Sequence, residues 1–216
     1  LSLIFRGRVL RHGKIAQLRV LAGIWSVENL LLALAVYHRL MIYVGFNGMT
    51  RLRIVGFYGV TTVVAGFLLV LWKIRGKYNF VWLIRRQLWA LAIAVYLFSI
   101  TPVDYLAMAY NARQIVAGDP KPAVQISVQP MSSEGILALN DVFREADLSK
   151  VQPVIVGGIV ALNRKTQLGE LDRTKSSWTA YQIAEELLSR RLKEPSALDN
   201  AKGDWEVFRN YVYQWY

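Results

Sequence analysis

The chain has 216 residues, of which 54% are hydrophobic, with a mean hydropathy of +0.28. It carries 26 Lys+Arg against 15 Asp+Glu, a formal net charge of +11, and no cysteine. This composition excludes a disordered, collagen-like or low-complexity chain. The lack of cysteine excludes disulfide frameworks, iron–sulfur clusters and thiolate zinc.

Charge divides the chain into two halves. Residues 1–102 hold 13 of the basic residues and a single acid, Glu28, whereas residues 103–216 hold 13 bases and 14 acids. The whole positive excess therefore belongs to the apolar half. There the bases flank apolar runs, which is how membrane topology is encoded, rather than covering a soluble face that would meet nucleic acid. The expected class is an all-α membrane protein with three transmembrane helices and a small, mainly helical extramembrane C-terminal domain.

Residues 1–20 form a basic segment, with Arg6, Arg8, Arg11, Lys14 and Arg19 among scattered Leu, Ile and Val. It has no apolar core before Arg19, so it does not read as a signal peptide. A basic interfacial helix, or the end of another span, is expected. The transmembrane domain follows over residues 21–102. Its first span, 21–44, is long enough at about 1.5 Å per residue to cross a core about 30 Å thick with tilt. The second, 54–74, contains Gly56, Gly59 and Gly66, small residues that let helices approach closely in lipid. The third, 83–102, is interrupted near its start by Arg85 and Arg86, which must snorkel to the interface. Trp72, Tyr78, Trp82 and Trp89 gather around that end as an aromatic belt would.

Orientation follows from the short flanks. Ten bases lie ahead of the first span or between the second and third, against Arg51 and Arg53 in the turn between the first two. The N-terminus and the second loop are therefore expected in the cytoplasm, and the turn and the C-terminal domain on the outer, periplasmic side of a bacterial inner membrane.

The tail, 103–216, reads as a series of helices. One covers 104–116 and stops at Gly118 and Pro120. The Pro-punctuated stretch 121–130 is expected to be a linker or an edge strand. Ser132 is a candidate N-cap, with Ile136, Leu139, Val142 and Phe143 on one face of the helix it opens. Residues 154–162 fit either a buried strand or a helix starting near Pro153. Ser177 is expected to cap a helix running to Lys193, with Trp178, Tyr181, Leu188 and Leu192 as its apolar stripe. A last aromatic helix covers 205–216. Its Trp205 and Trp215 either pack on the tail's own core or meet a membrane surface or partner.

The stretch Tyr43-Val-Gly-Phe-Asn-Gly-Met-Thr-Arg-Leu-Arg53 resembles the Tyr-Gly-Leu-Thr-x-x-Arg element of a bacterial family of polytopic membrane proteins of unknown function. Asn47 and Met49 stand where that family usually has Tyr and Leu. Asp104-Tyr-Leu-Ala-Met-Ala-Tyr-Asn111 is similar to a segment that follows the family's last span. The resemblance covers about residues 5–145 and implies that the chain is a C-terminal portion or short version of a longer polytopic protein. It implies no activity, cofactor or catalytic residue. Read without the family, Gly45 and Gly48 permit a tight break between helices, Asn47 tolerates left-handed backbone and Thr50 is placed to cap the second span.

The sequence contains no phosphate-binding loop, dinucleotide fingerprint, His-Glu-x-x-His or nucleophile elbow. His12 and His38 flank the first span and are too far apart to share a metal, so no cofactor or metal is expected; His38 alone is a weak candidate ligand. Glu28 is the one acid inside a span, where burial is costly unless it is paired or neutral; Ser26, Arg19 and Arg85 are its candidate partners. Arg39, Arg51, Arg53, Arg85, Arg86, Trp205 and Trp215 are the candidate lipid or partner contacts. The expected function is a non-catalytic subunit of a larger membrane assembly, contacting lipid and other membrane subunits but no nucleic acid. The alternative is a transport or sensing protein that uses Glu28 and the outer domain.

Overall fold

The computed structural model describes residues 15–76, 78–128, 131–173, 183–194, 198 and 203–216. Among them the chain is all helical, with no strand. It divides into two compact units. One comprises Leu1–Ile42 with Val55–Thr101, and the other Tyr43–Ile54 with Pro102–Tyr216.

The first unit is built from three long helices: α1 (Ile15–Asn47), α2 (Arg51–Gly76) and α3 (Phe80–Ile100). All three are long and apolar enough to cross a membrane, the qualifying part of α1 being Val20–Asn47. The chain is accordingly a membrane protein. The helices exceed the predicted spans because the polar residues at their ends, Asn47, Arg51 and Arg75, extend the apolar runs without breaking helical backbone. Arg85 and Arg86 lie in the first half of α3, both exposed, with the Arg86 guanidinium 5.7 Å from the Trp82 ring centroid. Three of the four aromatic residues expected to gather there do so around that ring, which stacks on Tyr78 at 4.4 Å and meets Trp72 edge-on at 6.0 Å; among the described residues Trp89 makes no ring contact with them.

Contacts within this unit are few and specific. Trp25 meets Phe67 edge-on at 5.8 Å, and Tyr37 stacks on Phe57 at 6.0 Å. Tyr58 shares a 2.8 Å hydrogen bond with Thr101. Leu40 rests at ordinary contact distance from where a Cβ of Gly56 would be, whereas one added at Gly59 or Gly66 would meet nothing. Most of the large apolar side chains face outward, Leu31, Leu34 and Val63 being 59%, 63% and 72% exposed. Such surfaces are stable against lipid, which is as apolar as leucine.

The second unit packs as a soluble domain does. Its helices are α4 (Val103–Val116), α5 (Ala123–Val128), α6 (Ser133–Glu145), α7 (Pro153–Arg173), α8 (Ile183–Lys193) and α9 (Trp205–Val212), with single 3₁₀ turns at Leu148–Lys150 and Tyr213–Trp215. Leu139, Phe143, Ile159, Phe208 and Val212 are wholly buried in a common core with α4 and α5. Gly158 is required by that core, because a Cβ there would clash with Phe208 Cγ. The α6 prediction holds: the Ser132 side chain accepts from the Gly135 N–H at 3.4 Å, and Ile136, Leu139 and Phe143 form the buried face.

Several expectations are corrected. The stretch 121–130, expected as a linker or edge strand, is helical in its described part, where α5 occupies 123–128; residues 129 and 130 lie outside the described residues. Pro120 and Pro122 stand just ahead of the helix, where a missing N–H costs nothing, and their carbonyls accept from Ala123 (3.0 Å) and Gln125 (3.1 Å). Burial of Ala123, Val124 and Ile126 then outweighs the weak local propensity. The ambiguity at 154–162 resolves to helix, as the start of α7. The helix ending at Lys193 is described from Ile183; Ser177, Trp178 and Tyr181 lie outside the described residues, as do the basic residues of 1–14 and His12. The last helix ends at Val212, and its cap is Asp204, whose side chain accepts from Glu206 and Val207. Gly45 and Asn47 are helical, and the left-handed residue of the turn is Gly48, at φ 78°.

Candidate functional site

The best-formed polar arrangement lies in the second unit, where the turn after α1 meets α4. Gly48 ends α1, its N–H reaching the Val44 carbonyl at 2.9 Å. Its positive φ favours glycine, and so does its setting: a Cβ would sit 2.6 Å from Asn111 Oδ1 and 2.9 Å from Pro122 Cβ. Reversal at Gly48 leaves the Met49 peptide groups outside either helix, in need of partners.

Asn111 supplies both. Its Oδ1 accepts from the Met49 N–H at 2.6 Å, and its Nδ2 donates to the Met49 carbonyl at 2.8 Å. The side chain is fully buried on the face of α4 that also carries Ala107, Met108, Ala112 and Ile115. A primary amide is suited to this task, because it presents one acceptor and one donor side by side, as a neighbouring strand would.

The rest of the turn closes around this pair. As expected, Thr50 caps α2, its Oγ1 accepting from the Arg53 N–H at 3.3 Å. The Arg53 guanidinium turns back to donate to the Gly48 carbonyl and lies 6.0 Å from the Tyr43 ring centroid. Arg51 pairs with Asp104 at 3.3 Å, Asp104 being the acid in the first turn of α4, where the helix dipole also favours it. Beneath them is a small cavity of about 100 Å³, bounded by Thr50, Arg51, Asp104, Met108, Met131 and Ser132. We call this arrangement the latch. It joins an amide and one guanidinium to main-chain groups, and a second guanidinium to a carboxylate.

A second polar chain links α4, α6 and α8. The Tyr105 hydroxyl donates to Asp141 Oδ2 at 3.2 Å, and Arg191 Nε lies 3.1 Å from Asp141 Oδ1. Burial, and then the adjacent Asp141 charge, pushes the Tyr105 phenol above its ordinary value. Arg144 bonds Glu194, and its hydrogen bond holds that carboxyl below the usual carboxylate range.

Of the residues singled out by sequence, the structure brings Arg51 and Arg53 together and leaves the others apart. Arg39, His38 and Glu28 are exposed along α1. Among the described residues no hydrogen bond or ion pair reaches Glu28, and the candidate partner Ser26 donates instead to the Ala22 carbonyl at 2.6 Å. No group of three His, Asp or Glu among the described residues is placed to hold a metal. Trp205 and Trp215 are partly buried against the tail's own core, while Tyr213 and Tyr216 remain exposed. Sequence reasoning passed over Asn111 as a functional residue. The available signal was an amide on an otherwise apolar helix face, seven residues after Asp104.

A protein-family model described as a domain of unknown function (DUF4153) matches residues 3–141, which takes in the three long helices, the latch and most of α6. No curated protein and no solved structure matches the chain. With well over half its length covered by that family, the chain belongs to the DUF4153 family, whose function is uncharacterised.

Proposed function

We propose that the protein is a non-catalytic integral membrane subunit that packs against other chains in a larger assembly. The observation that carries this reading is the uncovered surface of α1, α2 and α3, which keep their large apolar side chains outward and leave Gly59 and Gly66 of α2 with open space beside them. Glycines one heptad apart allow close approach of a further helix, with dispersion and Cα–H contacts as the attraction. The latch supports the same reading, because its amide and the Arg53 guanidinium hold backbone groups of the turn.

The proposed setting is a bacterial inner membrane with the N-terminus cytoplasmic and the tail periplasmic, which rests on the ten-to-two split of flanking bases. No cofactor belongs to this role. The test is native electrophoresis of the protein in mild detergent, with mass-spectrometric identification of the band. A band of higher mass containing further membrane chains is expected; a lone chain with no co-purifying protein would contradict the proposal.

Glu28, without a partner among the described residues, favours a second reading, transport or sensing. It requires Glu28→Gln to abolish a flux or signal while expression is retained.

A further inference from the structure

Away from the latch, α6, α7 and α8 surround a polar cleft of about 170 Å³ within the second unit. Asn140 of α6, Asn163, Arg164 and Gln167 of α7, Arg191 of α8 and the following Glu194 line it, with Val160 and Leu198 on its apolar side. Gaps between packed helices are ordinarily closed by apolar side chains. This one is walled by three amides, two guanidiniums and the Glu194 carboxylate.

Hydrogen-bond accounting shows what remains available. Asn140 donates both amide hydrogens, to the Ile136 carbonyl at 2.9 Å and to Asn163 Oδ1 at 3.0 Å. Asn163 donates one, to Asn140 Oδ1 at 2.8 Å, and Gln167 one, to the Leu192 carbonyl at 3.1 Å. Each of these two amides therefore keeps one uncommitted N–H among the described residues. Arg191 is engaged by Asp141 and Glu194, and Glu194 is shared with Arg144. Among the described residues no hydrogen bond or ion pair engages Arg164, which is exposed at the cleft wall. Among the described residues, Asp141 and Glu194 answer Arg191 and Arg144, and no ion pair reaches Arg164.

We propose that this cleft binds a small carboxylate-bearing molecule, held by the Arg164 guanidinium and by the free amide hydrogens of Asn163 and Gln167. A guanidinium presents parallel N–H groups that match the two oxygens of a carboxylate, and flanking amides add neutral donors without adding charge. One guanidinium without an ion pair among the described residues, beside the Glu194 carboxylate, selects a monoanionic group over a phosphate dianion. The inference does not depend on the proposed subunit role.

The experiment uses the full chain in lipid nanodiscs, titrated separately with acetate, L-lactate, L-glutamate and inorganic phosphate, and followed by the NMR signals of side-chain amides. At least one carboxylate is expected to give saturable shifts with a Kd of about 1 mM or tighter. Arg164→Gln is expected to weaken that binding about tenfold or more. Lys165→Gln, a neighbouring charge outside the cleft wall, is expected to leave it within about twofold. Gln167→Leu, which removes a neutral donor, gives a second test should Arg164→Gln fold poorly, and is expected to weaken binding several-fold. No saturation by any carboxylate, binding of phosphate alone, or equal affinity in Arg164→Gln and the parent would overturn the proposal.

Discussion

The two units of this protein solve the same problem with opposite arrangements. In the tail, apolar side chains turn inward, and Leu139, Phe143, Ile159 and Phe208 are wholly buried. In the membrane unit, side chains of the same kind turn outward, and Ala22 and Leu83 are the buried apolar residues among those described. Helix-forming tendency does not distinguish the two. The solvent does: water drives apolar side chains into a core, whereas lipid leaves packing, hydrogen bonds and small residues to decide which helices meet.

That contrast predicts unequal responses to one kind of mutation. Phe208→Ala removes a buried ring seated over Gly158 and should destabilise the tail by about 3–5 kcal/mol, read as loss of the tail's thermal transition. Leu31→Ala, at a 59% exposed position on α1, should leave the same transition nearly unmoved. Equal effects would break the distinction between the units.

The latch comes next in size. Asn111→Ala leaves the Met49 N–H and carbonyl without their partner and should cost about 2–3 kcal/mol. Asn111→Asp retains an acceptor but replaces the donor to the Met49 carbonyl, so it should not rescue the loss. Gly48→Ala should be comparably harmful, since it adds backbone strain to a clash with Asn111 and Pro122. Chemical denaturation of the three variants checks the group, and a mild Gly48→Ala would show that the turn has room to relax.

How much of this was legible beforehand follows from the kind of force involved. The three long helices were readable because hydropathy over some twenty residues is a sum that no single contact overturns. The Ser132 and Thr50 caps were readable because their chemistry is local. The helix α5 was misjudged because its support, burial of Val124 and Ile126 in the core, comes from residues distant in sequence. For the same reason Arg51 is a candidate in the sequence while its partner is not, and the amide that holds Met49 is passed over: Asp104 and Asn111 lie some fifty to sixty positions along the chain, and only folding brings them to the turn.

A smaller effect separates surface charge from buried polarity. Arg51→Ala breaks a pair whose guanidinium is 69% exposed, so it should cost under about 1 kcal/mol, well below Asn111→Ala. An equal loss would make the ion pair, not the amide, the main support of the latch.

The smallest expected effect is on acid stability. Arg144 holds the Glu194 carboxyl below its ordinary value, and hydrogen bonds from Ser149 do the same for Asp147. A carboxyl lowered in the folded state stabilises the fold above the ordinary carboxylate range, and that stabilisation is lost as the pH falls through the lowered value. The tail should therefore weaken between about pH 5 and pH 3, and Glu194→Gln should flatten that part of the profile slightly. An unchanged slope in Glu194→Gln would assign the acid sensitivity to other groups.

Topology offers a further check, and the absence of cysteine makes it clean. Leu52 and Lys150 are exposed, at 79% and 71%, and each tolerates a single cysteine without entering the latch or the core. With three spans, both should react with an impermeant maleimide in intact cells. Labelling at Leu52→Cys alone would reduce the spans to two and place the tail inside.

The central claim is that the uncovered faces of α1, α2 and α3 serve a larger assembly, and the most direct measurement is the mass of the native particle in mild detergent. The account predicts a particle heavier than one chain with its detergent, containing other membrane chains, and shifted toward the lone chain when Gly59 and Gly66 are both replaced by leucine. A single-chain particle in the unmodified protein, unaltered by those substitutions, would contradict it.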